Sequence, residues 1–121
     1  MVQPGVARAD VAELDLGAVL RALADDHRRA VIMELAADRT DGERLCQSFD
    51  MKVSKQTRTY HFRTLRDAGL VRDTDYGNKK GITLRRSEID RRFPGLLDLL
   101  AAEFERQRGA GSGSGTCPRS G

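Results

Sequence analysis

Val53–Leu84 reads VSKQTRTYHFRTLRDAGLVRDTDYGNKKGITL, and this stretch decides the fold. Ser54 carries a hydroxyl suited to capping a helix N-terminus, helical spacing continues through Leu65, and Gly69 supplies a stop. From Lys52 to Arg66 there are five Lys/Arg and no Asp/Glu, so this helix presents donors and positive charge with no acid beside them. Two short runs follow, Leu70–Tyr76 and Lys79–Leu84. They meet at Gly77-Asn78, the pattern of a β-hairpin with a basic tip.

Working outward, Leu16, Val19, Leu20 and Leu23 recur at helical spacing and predict a first helix over about Leu14–Ala24. Asp25 or Asp26 caps a second, Asp26–Ala37, whose Ala30-Val31-Ile32-Met33 is apolar nearly all round and therefore central. After a loop at Asp38–Gly42, Glu43–Phe49 is expected to be a short third helix, and Asp50–Val53 the turn into Ser54–Ala68. Beyond the hairpin a single turn is expected over Ser87–Arg91, then a long helix Pro94–Gln107 with Pro94 at its first position. The expected fold is mainly α with a small β-hairpin: a winged helix-turn-helix of about five helices plus a two-stranded wing. Residues 14–108 form the domain, 1–13 a flexible arm, and 109–121 a flexible Gly/Ser-rich tail.

Charge agrees with that reading. The net formal charge is only +3, but residues 1–50 sum to about −4 and residues 51–121 to about +7. The electrostatic footprint thus belongs to the hairpin-bearing half. Two cysteines, Cys46 and Cys117, make no disulfide framework. No apolar run is long enough to span a membrane and no signal peptide is visible, so a cytoplasmic location is expected. No P-loop, Gly-x-Ser-x-Gly or paired-histidine motif supports an enzyme. No catalytic residue, metal or cofactor is expected.

A major groove admits one α-helix, whose N-terminal residues reach base edges. Gln56 can pair bidentately with adenine, and Lys55, Arg58 or Arg63 can meet guanine or phosphate. Thr57, Thr59 and Tyr60 suit phosphates or a thymine methyl, and Ser54 can present its hydroxyl and the helix's free N–H groups to a phosphate. Asn78, Lys79 and Lys80 at the hairpin tip suit phosphate or minor-groove contact; the plainer reading is that the lysines keep an edge hairpin soluble. The first and last helices each carry a leucine stripe that would overfill so small a core. Leu14, Leu16, Leu20, Leu97, Leu100 and Phe104 are therefore expected to build part of a two-fold dimer interface, the alternative being that all six complete a monomer core. His61 lies on the inward side of its helix and reads as a structural, hydrogen-bonded histidine; His27 reads as exposed. Cys46 is a small buried apolar residue, a redox thiol acidified by Arg44 and a helix N-terminus, or, least of all, a metal ligand.

Three motifs in order resemble the ArsR family of bacterial winged-helix repressors. They are RALADDHRRAVIMELA (Arg21–Ala36), SKQTRTYHFRTLRDAGLVR (Ser54–Arg72) and GNKK (Gly77–Lys80), within a resemblance spanning Leu16 to Phe104. RRFPGLLDLL (Arg91–Leu100) looks like a subset of that family common in high-GC bacteria. The resemblance implies a homodimer paired through its terminal helices, binding a palindromic operator in double-stranded DNA and repressing transcription. Two departures stand out. Arg58 replaces the apolar residue usual in mid-recognition helix, so either the helix is rotated or Arg58 lies at an edge. Metal-sensing members carry Cys-x-Cys on the third helix or acidic and histidine ligands on the last; here LCQSF offers only Cys46, and the last helix has no histidine. The signal is left open among an unidentified small-molecule effector between the terminal helices, Cys46 oxidation, a partner, or abundance alone. The rival function is a winged helix used for protein interaction, which salt dependence would separate from DNA binding.

Overall fold

The computed structural model describes residues 14–112, so the expected arm at 1–13 lies outside the described residues, as does the tail from 113 onward. The element order is α1 (Leu16–Ala24), α2 (Asp26–Ala37), β1 (Arg44–Leu45), a single 3-10 turn (Cys46–Ser48), α3 (Lys55–Asp67), β2 (Val71–Asp75), β3 (Lys80–Leu84), α4 (Arg86–Arg92) and α5 (Leu96–Ser112).

Helix starts follow local chemistry. Asp15 Oδ2 accepts from the Ala18 N–H at 2.9 Å and caps α1. Leu14 therefore stands ahead of the helix, buried at 2% exposure. Asp25, not Asp26, caps α2, accepting from the His27 and Arg28 N–H groups. Ser54 Oγ accepts from the Thr57 N–H at 3.1 Å and opens α3. That helix ends at Gly69, whose φ of 86° places it in the left-handed region. The Leu70 N–H then donates to the Leu65 carbonyl, and the Gly69 N–H to that of Arg66. This pair is a Schellman motif, closed by Leu65 and Leu70, both fully buried.

The hairpin forms where the sequence placed it. β2 and β3 pair antiparallel from Val71 opposite Leu84 to Asp75 opposite Lys80. Gly77 takes a φ of 93° in the turn, and the Tyr76 N–H donates to the Lys79 carbonyl at 2.9 Å.

Glu43–Phe49 departs from expectation. Instead of a helix it supplies β1, which pairs with β3 (Arg44 opposite Ile82, Leu45 opposite Gly81), making a three-stranded sheet in the order β1-β3-β2. Seven residues are too few to offset helix nucleation, whereas the open edge of β3 offers ready hydrogen bonds. Gly81 makes the approach possible: a Cβ there would stand 2.5 Å from Glu43 Oε2. Arg44 fixes the segment, its guanidinium 2.8 Å from Glu34 and 4.2 Å from the Phe49 ring centroid.

The C-terminal helices also shift. α4 is a full short helix, and α5 begins at Leu96 rather than Pro94, because Gly95 has a φ of 92° that no α-helix admits. α5 continues to Ser112 rather than stopping at Gln107, since an established helix propagates through Gly and Ala at about 1 kcal/mol per glycine. α2 is the centre of the molecule, packed against α1, α3 and α5, with Val31, Ile32, Met33, Leu35 and Ala36 buried. Among the described residues no helix is long and apolar enough to cross a membrane.

Candidate nucleic-acid interface

α3 packs its inner side with His61, Phe62 and Leu65 and leaves the opposite side to solvent. Lys55, Gln56, Thr59, Tyr60 and Arg63 are all exposed, and together they line one shallow outer surface. Their three- and four-residue spacing is what places them on one face. Ser54 and Arg58 are otherwise engaged. The Ser54 hydroxyl is shared between the Thr57 N–H and Thr57 Oγ1, and the Arg58 guanidinium donates from Nη2 to the Met51 carbonyl at 3.2 Å. Arg58 thus sits at the helix edge, half-buried, holding the turn that leads into α3. Thr57 is half-buried beside them.

Between α3 and the hairpin runs a groove of about 720 Å³, with Lys55, Thr59 and Arg63 on the helix side and Asn78, Lys79 and Lys80 on the wing side. All three wing residues are exposed. Tyr76 fastens the wing, its hydroxyl donating to Glu43 at 2.7 Å and 2.9 Å, and this bond to the carboxylate pushes the phenol's pKa upward. Acids temper the groove: Asp73 and Asp75 line it, and Arg66 is held by Asp67 and Asp73 at 3.1 Å and 3.3 Å. The bond to Asp67 first, then burial against it and Asp73 in support, leaves the Arg66 pKa above its ordinary value.

No protein-family model matches the chain. The uncharacterised HTH-type transcriptional regulator YceK of Bacillus subtilis (strain 168) is 33% identical over 84 residues, covering 68% of this chain and 82% of that protein. A crystal structure of an ArsR family transcriptional regulator superposes with a TM-score of 0.51 at 25% identity, over 77% of this chain and 96% of that one. The chain belongs to the ArsR family of transcriptional regulators. It is a DNA-binding regulator with a winged helix-turn-helix fold, not an enzyme. An ArsR-like transcriptional regulator from Rhodococcus sp. RHA1 is also similar, with a TM-score of 0.48 at 25% identity over 78% of this chain and 87% of that one.

In this ArsR-family chain the two leucine stripes divide. Leu14, Leu97 and Leu100 are buried in the chain's own core at 2%, 1% and 7% exposure, and Phe104 is half-buried against it. Leu16 and Leu20, one turn apart on α1, are about half exposed, and Leu99 on α5, which spacing alone does not single out, is more exposed still. Among the described residues, the other large exposed apolar side chains are Tyr60 and Tyr76, on α3 and at the wing.

His61 is buried behind the outer face of α3. Arg28 Nη1 lies 3.1 Å from His61 Nδ1, and since a guanidinium only donates, Nδ1 accepts and the neutral ring's proton sits on Nε2. Nε2 faces Asp25 at 3.8 Å, and the His27 ring lies 5.7 Å away, itself half-buried rather than exposed. Burial is the largest influence on His61; Asp25 opposes it, Arg28 and His27 add to it, and the pKa ends below its ordinary 6.5. The unfolded chain then binds a proton that the folded chain refuses, so stability is full above about pH 6.5 and falls as pH drops below it. The melting temperature is expected to decline from pH 7 to pH 5.5 in the wild type and less steeply in His61→Gln; identical profiles would remove His61 from the account.

Cys46 is half-buried on the floor of the helix–wing groove. Both features expected to acidify it are missing: Arg44 is engaged with Glu34 and Phe49, and the segment is a 3-10 turn, not a helix. Burial first, then the Asp73 charge, pushes the thiol's pKa up. Cys117 lies outside the described residues. Among the described residues no three His, Cys, Asp or Glu side chains gather as a metal-binding group. Sequence reasoning missed Gln47 and Arg66 as groove residues. Arg66 belongs to the acid-free run and stands three residues after Arg63, a signal that was available; Gln47 reaches the groove only through the pairing of β1 with β3.

Proposed function

We propose that the protein is a dimeric repressor that reads a palindromic operator with α3 in the major groove and the wing on the adjacent backbone or minor groove. The observation that carries this reading is the shared exposed face of Lys55, Gln56, Thr59, Tyr60 and Arg63 on α3, set across a groove from the basic wing tip. Gln56 and Arg63 offer the side chains for base edges; Lys55, Thr59, Tyr60, Lys79 and Lys80 offer positive charge or hydrogen bonds to phosphate. Ser54, Thr57 and Arg58 serve this surface by shaping the start of α3 and its incoming turn. Lys79 and Lys80 make no ion pair among the described residues, which suits them to phosphate.

The two α3 helices of the dimer would enter successive major grooves about one turn, roughly 10 base pairs, apart. The exposed leucines of α1 and α5 would pair the subunits, and an unidentified small molecule between these helices is the proposed signal. The proposed location is the cytoplasm.

Gln56→Ala is expected to cost about 1–3 kcal/mol in operator binding and to relax base preference at one position. Equal weakening on every sequence would make Gln56 a phosphate contact instead. Competition binding against operators varied one base pair at a time distinguishes the two.

A further inference from the structure

Arg28, in the first turn of α2, divides its guanidinium between two other helices. Nε donates to the Ala22 carbonyl at 2.8 Å and Nη2 to the Arg21 carbonyl at 3.4 Å, two of the acceptors that the last turn of α1 leaves over. Nη1 donates to His61 Nδ1, the acceptor nitrogen of the buried neutral ring. His61 belongs to α3, and its chain neighbour Tyr60 lies on the outer face of that helix with Lys55, Gln56, Thr59 and Arg63. The Arg28 guanidinium carbon stands 5.9 Å from the centroid of the Tyr60 ring. One side chain thereby joins α1, the helix that exposes Leu16 and Leu20, to both the back and the rim of the α3 face.

The joint depends on one proton. Nδ1 accepts only while the ring is neutral; an imidazolium donates from both nitrogens, so protonation sets N–H against N–H and charge against charge 3.1 Å apart. Turning the ring over does not relieve the conflict, since the other nitrogen then donates as well. Among the described residues the titratable and charged groups facing the ring are Asp25 at the corner between α1 and α2, His27 and Arg28 on α2, and Tyr60 on α3. Asp25 faces Nε2 at 3.8 Å and holds a protonated ring where it is, so Arg28 is the partner that must move. Burial first, with Arg28 and His27, outweighs Asp25 and places the change below about pH 6.5.

We propose that Arg28 is a positioning residue for DNA reading that acts through neutral His61, and that protonation of His61 releases α3 from α1 and lowers selectivity for the operator. This rests on α3 being the helix that reads DNA. Base contacts need the α3 face held at a fixed height and angle, whereas phosphate contacts tolerate a loosened helix. Opening the joint therefore acts on selectivity before it acts on general affinity.

The test is the ratio of affinities for two duplexes, one enriched by selection from a random pool and one of random sequence. It is measured on the full chain from about pH 7.5 to about pH 5.5, at constant salt and well below the melting temperature. The random duplex cancels the general gain in phosphate affinity that any added positive charge brings. In the wild type the ratio should fall about tenfold or more along a histidine titration, the effect of losing one hydrogen bond to a charged group. H61N puts an amide oxygen where Nδ1 accepts and cannot titrate, so its ratio should hold at the neutral wild-type value throughout. R28M should show the lowered ratio already at neutral pH, with no further fall. A flat wild-type ratio, an equal fall in H61N (which keeps His27), or wild-type selectivity in R28M overturns the proposal. A wild type that prefers no duplex even at neutral pH defeats the DNA reading itself; a preference present at neutral pH and undiminished in acid defeats only the joint between Arg28 and His61.

Discussion

Leu20→Glu is expected to convert the regulator to a monomer and to lower its affinity for a two-half-site operator by about 10²–10⁴-fold, the avidity that linking two modules confers. Leu16 and Leu20 lie one helical turn apart on α1 and stay 49% and 53% exposed, although every other large aliphatic residue of that helix is buried. Leu99 on α5 is 64% exposed. Both helices pack on α2, away from the groove between α3 and the wing. A carboxylate in an apolar subunit interface must lose its water without gaining a partner, which costs several kcal/mol. Leu97→Ala is the control. At 1% exposure Leu97 is core, so its loss should lower stability by about 2–5 kcal/mol without first dissociating a dimer. Sedimentation at micromolar concentration separates these results, and a Leu20→Glu protein that stays dimeric would require a different interface.

Arg86→Ala should be among the most damaging single changes to stability, lowering it by about 3 kcal/mol and the melting temperature by on the order of 10 °C or more. Arg86 closes the C-terminus of α2. Nε donates to both oxygens of Asp41 at 2.8 Å, and Nη2 reaches the carbonyls of Leu35, Ala36 and Asp38 at 3.3, 3.1 and 3.3 Å. The Leu35 and Asp38 carbonyls also accept from the Asp38 and Asp41 N–H groups, so one guanidinium completes the acceptor set at the end of α2 and its C-cap. The same contact steadies Asp41, whose φ of 55° is an uncommon backbone state for a residue with a Cβ. The Asp41 bond raises the Arg86 pKa, burial opposing it, so the guanidinium stays charged and the latch holds throughout the neutral range. Arg86→Lys keeps a charge but cannot serve Asp41 and three carbonyls at once, and should fall between wild type and alanine. Urea melts decide the matter; a loss under about 1 kcal/mol would mean that water replaces the latch.

Where the sequence was legible, the cause was local. Asp25, Ser54 and Gly69 mark their helix ends because capping needs only neighbours within one turn, and Gly77-Asn78 marks its turn for the same reason. The exposed face of α3 could be read because periodicity alone separates Gln56 and Arg63 from Phe62 and Leu65. Glu43–Phe49 could not, because its conformation is set by the edge of β3, a strand some 35 residues downstream in the chain. The leucine stripes were half legible. Spacing shows that Leu14, Leu20 and Leu97 are apolar face residues, but which of them α2 covers depends on packing. Arg58 shows the same limit: its chemistry suits phosphate equally well, and only the fold reveals the Met51 carbonyl 3.2 Å away.

Selection of binding sites from a randomised pool of DNA duplexes, followed by a salt series on the enriched sequence, shows whether the protein reads DNA as a symmetric dimer. The expected product is an inverted repeat with half-site centres about one turn, roughly 10 base pairs, apart. Affinity should fall steeply with salt, with a slope smaller by about two units when Lys79 and Lys80 are both replaced by alanine. A pool that never converges, or binding indifferent to salt, would contradict that reading.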